Sequence, residues 1–144
     1  MNCHQAKLSD IPRLLQLAEI EHGRSQFKEQ KFDAAFSQYN LEQAVSGALS
    51  RVFISDAQGG FIAGVMQPCL YNKFFRAYEL CWYAEDGSGL ALLDAFCDWA
   101  KKMRAVDVVV SNYAGLIPSE KFTRVIKRKG FKHLGSTYSK QLEI

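Results

Sequence analysis

The sequence predicts an α/β protein, α+β in layout, with one mixed sheet in a single domain spanning 1–144 and the element order β-α-α-β-β-β-α-β-α-β. Three observations predict it. Short apolar runs bounded by turn residues recur at 51–55, 61–67, 77–84 and 106–111, at lengths that suit strands. Stretches with apolar residues every three or four positions stand between them, most clearly at 90–103. The runs 77–84 and 106–111 flank that stretch as a βαβ unit, so these two strands should be parallel.

Each element follows in order. Asn2 to Leu8 alternates weakly and reads as a first strand. Ser9 or Asp10 caps a helix with Pro12 in its first turn. Ile11, Leu14, Leu15 and Ala18 face inward, Glu19 and Glu21 lie on the other side, and Gly23 ends it. The stretch 24–40 has no clean period and reads as a loop or irregular helix. Asn40 caps a second helix to about Leu49, with Leu41, Ala44, Val45 and Ala48 inward. A hairpin over 51–67 turns at DAQGG, and Pro68 ends it. Ala77 to Ala84 is a buried strand whose one charge is Glu79. In the helix that follows, Leu90, Leu93, Phe96, Cys97, Ala100 and Met103 form one stripe. Pro118 and Ser119 open a last helix closed by Gly130, and 131–144 finishes as a strand bent at Gly135.

Composition narrows the function classes. A net charge of +3 falls short of a dedicated nucleic-acid binder and suits an anionic small ligand equally well. No apolar run reaches the ~18 residues of a membrane span, and the polar start MNCHQAKLSD does not read as a signal peptide. Cys3, Cys69, Cys81 and Cys97 show no CxxC spacing and His4, His22 and His133 are scattered, so no metal site is expected. The expected setting is cytoplasmic, with no nucleic-acid and no membrane partner.

The informative stretch is YAEDGSGLALLDAFCDWAKK, residues 83–102. Gly87, Ser88 and Gly89 stand where a strand hands over to a helix. The first helical turn leaves N–H groups without partners and carries partial positive charge, and glycines let a phosphate approach that backbone. A bare tight loop with Ser88 as helix cap is the alternative.

The ordered set of motifs resembles the GNAT family, the Gcn5-related N-acetyltransferases. GSGLALLDAFCDWA is similar to that family's pyrophosphate loop, Q/R-x-x-G-x-G/A followed by a leucine-rich helix, with Gly87 and Gly89 at the small-residue positions. GGFIAGVMQ resembles its hairpin strand ending in a glycine, here Gly64. SNY places Asn112 where the family often has an asparagine facing the cofactor. KRKGFKHLGSTYSKQL resembles its C-terminal ending. Two positions depart from the pattern. Ala84 stands at the Q/R position unless the loop is shortened, and Ile126 stands where many members carry a tyrosine that protonates the leaving thiolate.

The resemblance implies acetyl-CoA as acyl donor, held by the N–H groups of Gly87, Ser88, Gly89 and Leu90 and by Asn112. It also implies that N–H groups around Cys81, Trp82 and Tyr83 polarise the thioester carbonyl. Acetyl transfer needs an amine stripped of its proton and a protonated leaving thiolate. Glu79 is the candidate base; a salt bridge with Arg76 or Lys73 is its structural alternative. Tyr138 is the candidate acid, with Tyr113 second. The basic run Lys121, Arg124, Lys127, Arg128 and Lys129 reads as a solvated face or as a partner for the cofactor's 3′-phosphate.

The function implied is an acetyl-CoA-dependent N-acetyltransferase acting on a primary amine, either a small molecule or a protein. The alternative is a degenerate GNAT-fold module that binds CoA or a protein partner. Aromatics at 23–40 and 69–76 are expected to contact the acceptor, and the oligomeric state stays open between monomer and homodimer.

Overall fold

The computed structural model of the chain describes residues 2–112 and 115–143. It divides into two compact units, 1–110 and 111–144.

The first unit holds a five-stranded sheet in chain order: β1 (Cys3–Gln5), β2 (Ser50–Ser55), β3 (Gly60–Pro68), β4 (Phe75–Ala84) and β5 (Val108–Val109). Neighbours pair antiparallel except β4 and β5, which are parallel as the βαβ reading requires. Three helices pack on this sheet: α1 (Ile11–Arg24), α2 (Ala34–Ser46) and α3 (Gly89–Lys102). Before α1 comes a single 3-10 turn (Leu8–Asp10), whose Asp10 accepts the Lys7 N–H at 2.8 Å. The core is Ile11, Leu14 and Leu17 of α1, Val52 and Ile54 of β2, Phe61 and Ile62 of β3, and Leu92, Leu93, Phe96 and Trp99 of α3.

α2 is capped seven residues before the expected cap, Asn40. Asp33 is its N-cap, with Oδ1 accepting the Phe36 N–H at 3.0 Å. A capping aspartate ahead of AAF is a local start signal that outweighs the poor apolar period of the segment. Only Leu41 of this helix is buried, which is why the pattern was weak.

Gly64 has a packing reason. A Cβ there would overlap the Phe96 ring and lie 2.8 Å from the Tyr78 carbonyl oxygen. Gly64→Ala is therefore expected to destabilise the protein by about 1–3 kcal/mol, the usual cost of overpacking a filled core. Urea unfolding checks it: the midpoint should drop with an unchanged slope.

The second unit contains α4 (Ser119–Arg128) with Pro118 before it and Gly130, at φ +89°, just after. The expected C-terminal strand is corrected: 131–143 has no regular secondary structure. Its apolar residues Leu134 and Leu142 are exposed, so the segment has no buried face to hold a register.

Candidate active site

Two features of β4 coincide. Its pairing with β3 slips once: Ala63 opposes Cys81 but Gly64 opposes Glu79, which leaves Leu80 as the extra residue of a bulge. Its pairing with β5 stops at Tyr78–Val109. Beyond that point no strand flanks this edge of β4 among the described residues. The strand thus bends and parts from its neighbour at Glu79, which leaves that edge of β4 without a strand beside it.

Arg76 donates from Nε and Nη2 to Asp107 at 2.8 and 2.6 Å. This bidentate pair pins the start of β4 to the residue before β5, and it holds the Asp107 carboxyl below the usual range. The guanidinium foreseen as a structural partner for Glu79 is thus engaged on Asp107.

Past the strand, Gly87 sits at φ +81°, a left-handed conformation that favours glycine. Gly89 is different. It opens α3, and a Cβ there would meet Ala84 and Trp82 no closer than 3.8 Å. The protein's own packing leaves room for a Cβ at Gly89. The first helical N–H groups, from Gly89 onward, have no acceptor within the helix. This is the arrangement in which a helix start receives an anion.

Ser88 is corrected. It is fully buried, it makes no side-chain cap, and both its N–H and its hydroxyl donate to Asp86 Oδ1. A donor spent in this way is not available to a ligand. Asp86 is the hub of the loop. Its Oδ2 also accepts from the Ser55 hydroxyl at 2.7 Å and from the Gly59 N–H at 3.1 Å. Burial alone would raise Asp86, but the hydrogen bonds from Ser88, Ser55 and Gly59 outweigh it and hold the carboxyl below its usual value. The DG pair at 86–87 was the available signal.

The remaining side chains anchor the strand end. Trp82 Nε1 donates to the Gly89 carbonyl at 3.0 Å. Tyr83 is buried; its hydroxyl accepts from Arg24 and donates to Glu85 Oε2, both at 2.8 Å. Arg13 and Arg24 of α1 both approach Glu85. The side chains of Trp82 and Tyr83 are therefore structural, and only their backbone groups stay candidates for ligand contact. Leu90 is partly exposed in the first turn of α3.

Cys81, just past the bulge, meets α1. Its thiol donates to the Glu21 carboxyl. Burial pushes this thiol well above its ordinary value, and the charges of Glu21 and Glu79 push it further. Burial likewise raises the Glu21 carboxyl, opposed by His22 and the Cys81 thiol. Glu21 was read as lying on the outer side of α1. In fact Leu14, Leu17 and Glu21 stand at i, i+3 and i+7, so the carboxyl continues the buried stripe. That spacing was legible.

Asn112 and Tyr138 belong to the second unit. The Asn112 amide donates from Nδ2 to the Ile117 carbonyl at 2.6 Å, an internal use not foreseen. Tyr138 is 91% exposed, and its expected role as the acid stays a proposal. Ile126 is buried in α4. Tyr113 lies outside the described residues. Among the described residues no cluster of His, Cys, Asp and Glu could hold a metal, and no helix is long and apolar enough to cross a membrane.

No family model matches the chain, and no curated protein matches it in sequence. Solved structures do. A protein described as a "probable acetyltransferase" aligns over 100% of this chain and 98% of its own, at TM-score 0.76 and 18% identity. A ribosomal-protein-alanine N-acetyltransferase from Brucella melitensis biovar Abortus 2308 aligns over 98% of each chain, at TM-score 0.70 and 13% identity. An aminoglycoside acetyltransferase from an uncultured soil metagenomic sample aligns over 99% of this chain and 96% of its own, at TM-score 0.72 and 14% identity. The chain has the fold of the GNAT acetyltransferases.

Proposed function

We propose that the protein is an acetyl-CoA-dependent N-acetyltransferase that acts on a primary amine. The observation that carries the reading is the conjunction on β4. The strand bulges and leaves β5 at Glu79, and six residues after the strand's Cys81 the Gly87–Gly89 turn opens α3. On this fold that conjunction sets an open backbone edge beside a helix N-terminus.

The backbone N–H groups of Gly87, Gly89 and Leu90 hold the pyrophosphate of CoA. Open N–H groups of β4 between Cys81 and Tyr83 polarise the thioester carbonyl, which develops negative charge as the amine attacks. Glu79 takes the proton from the amine nitrogen. The carbon–sulfur bond then breaks and the thiolate of CoA leaves. A thiol's pKa near 8.5 makes that thiolate a fair leaving group, so protonation from solvent suffices.

Thermal unfolding with CoA tests the reading. CoA at 100 times its Kd should add about 2.7 kcal/mol of stability. Gly89→Val should leave the ligand-free stability within about 1 kcal/mol, because the Cβ has room, and should abolish the CoA-dependent gain. A wild-type protein that gains nothing from millimolar CoA overturns the proposal.

The exposure of Tyr138, with Ile126 at the usual acid position, favours one second reading: a CoA-binding module without transfer activity. CoA stabilisation without CoA release in the presence of primary amines would select it.

A further inference from the structure

Two N–H donors meet between β2 and α3, and the proposed chemistry uses neither. Arg51 Nε and Trp99 Nε1 are both buried, and neither has a hydrogen-bond partner among the described residues. The Arg51 guanidinium lies over the Trp99 ring, 5.7 Å from its centroid. We propose that Arg51 and Trp99 form a second binding site on this chain, for a small carboxylate anion held between the guanidinium and the indole N–H.

The sheet brings the two residues together. Arg51 stands opposite Gly64 in the β2–β3 pairing, and directly paired residues share one face. That face belongs to α3, since a Cβ on Gly64 would overlap the Phe96 ring. Gly64 fills none of it, so the long Arg51 side chain reaches Trp99, whose ring packs on Phe96 at 5.6 Å between centroids. Trp99 stands ten residues after Gly89, about 15 Å along the helix. The pair is therefore separate from the helix start assigned to CoA.

Three observations select the ligand. First, a guanidinium and an indole N–H are donors only, so neither can satisfy the other. Second, Trp99 is 7% exposed, too little for bulk water to serve its N–H, and a buried donor left unmatched is costly. Trp82, the other tryptophan of the chain, has its acceptor in the Gly89 carbonyl. Third, Arg51 makes no ion pair among the described residues, whereas Arg13, Arg24 and Arg76 all approach carboxyls. The missing partner is thus an acceptor with negative charge. A guanidinium presents Nε and an Nη as parallel donors, which fit the two oxygens of a carboxylate and not a spherical ion. The 5.7 Å separation is about two hydrogen-bond lengths of ~2.9 Å, so one carboxylate spans both groups. Arg51 is only half-buried, so the anion enters from the solvent side as the guanidinium lifts from the ring. The last turn of α3 carries partial negative charge, which Lys101 and Lys102 offset.

The test follows side-chain N–H resonances of the full chain and needs no turnover. Sodium formate is titrated in, with formamide as the neutral planar match and sodium chloride as the ionic-strength control. Expected is a saturable downfield shift of the Trp99 indole N–H, which Trp99→Phe identifies. The Arg51 Nε–H should follow the same concentration dependence, and the Trp82 indole N–H should stay in place. In Arg51→Met the affinity should be about tenfold weaker or more, the loss expected for a charged hydrogen-bond partner. Equal shifts of both indoles, an equal response to formamide or sodium chloride, or undiminished affinity in a folded Arg51→Met overturns the inference. So does a wild type with no saturable formate response, whose donors are then matched by water alone. Should Arg51→Met not fold, the wild-type Arg51 Nε–H decides: a concentration dependence that differs from the indole's overturns the shared site.

Discussion

Glu79→Gln is expected to lower turnover by about 10²- to 10⁴-fold at neutral pH, the range for removing a general base, with acetyl-CoA affinity little changed. Glu79 lies where β4 leaves β5, on the strand that would hold the thioester, whereas the CoA contacts are assigned to backbone groups of Gly87, Gly89 and Leu90, beyond the strand. Chemistry and cofactor binding should therefore separate. CoA release with n-butylamine as acceptor measures the first, and thermal stabilisation by CoA measures the second. Without its base the variant depends on amine that is already neutral, so its residual rate should climb about tenfold per pH unit below the amine's pKa. A rate and pH profile equal to wild type would return Glu79 to a structural role.

Asp86→Ala is expected to cost about 2–4 kcal/mol of stability. The carboxylate collects hydrogen bonds from Ser55, Gly59 and Ser88, and both serines are fully buried. Leaving a buried donor unmatched costs about 1–3 kcal/mol. Gly59 keeps a second acceptor, the Ser55 hydroxyl at 3.0 Å, so the loss concentrates on Ser88. The pH dependence has a definite sign. The folded-state pKa of Asp86 is below its ordinary 3.8, so its contribution is complete above that value and disappears as pH falls through the lower, folded value. Acid unfolding of wild type should show this loss, and Asp86→Asn should flatten it. An Asp86→Ala protein as stable as wild type would show that water replaces the carboxylate at the loop.

What could be read along the chain depended on chemistry local in sequence. The hairpin at 51–67 is written in an apolar alternation and a Gly-rich turn, and it appears as β2 and β3 with Gln58 at φ 61° in the turn. α3 is written in its leucine stripe, and the parallel pairing of β4 with β5 follows from the crossover between them. Gly87 needed only its DG context. For each of these, partners are near in sequence or are forced by connectivity.

The rest was decided by contacts between distant segments. The bulge at Leu80 exists only because β3 and β4 differ by one residue across it, which neither strand records alone. Whether Gly89 is required or merely tolerated depended on Trp82 and Ala84 beside it, and Gly64 on the Phe96 ring from α3. Ser88 looked like a cap until Asp86 claimed both its donors. Tyr138 was placed by a C-terminal strand that did not form. A strand is stable only with a neighbour to take its N–H and C=O groups, and 131–143 carries no signal of where such a neighbour would be. Glu21 carries both cases in one residue. Its position on the buried stripe of α1 follows from 3.6 residues per turn, and only the packing of α1 on β4 sets it on Cys81.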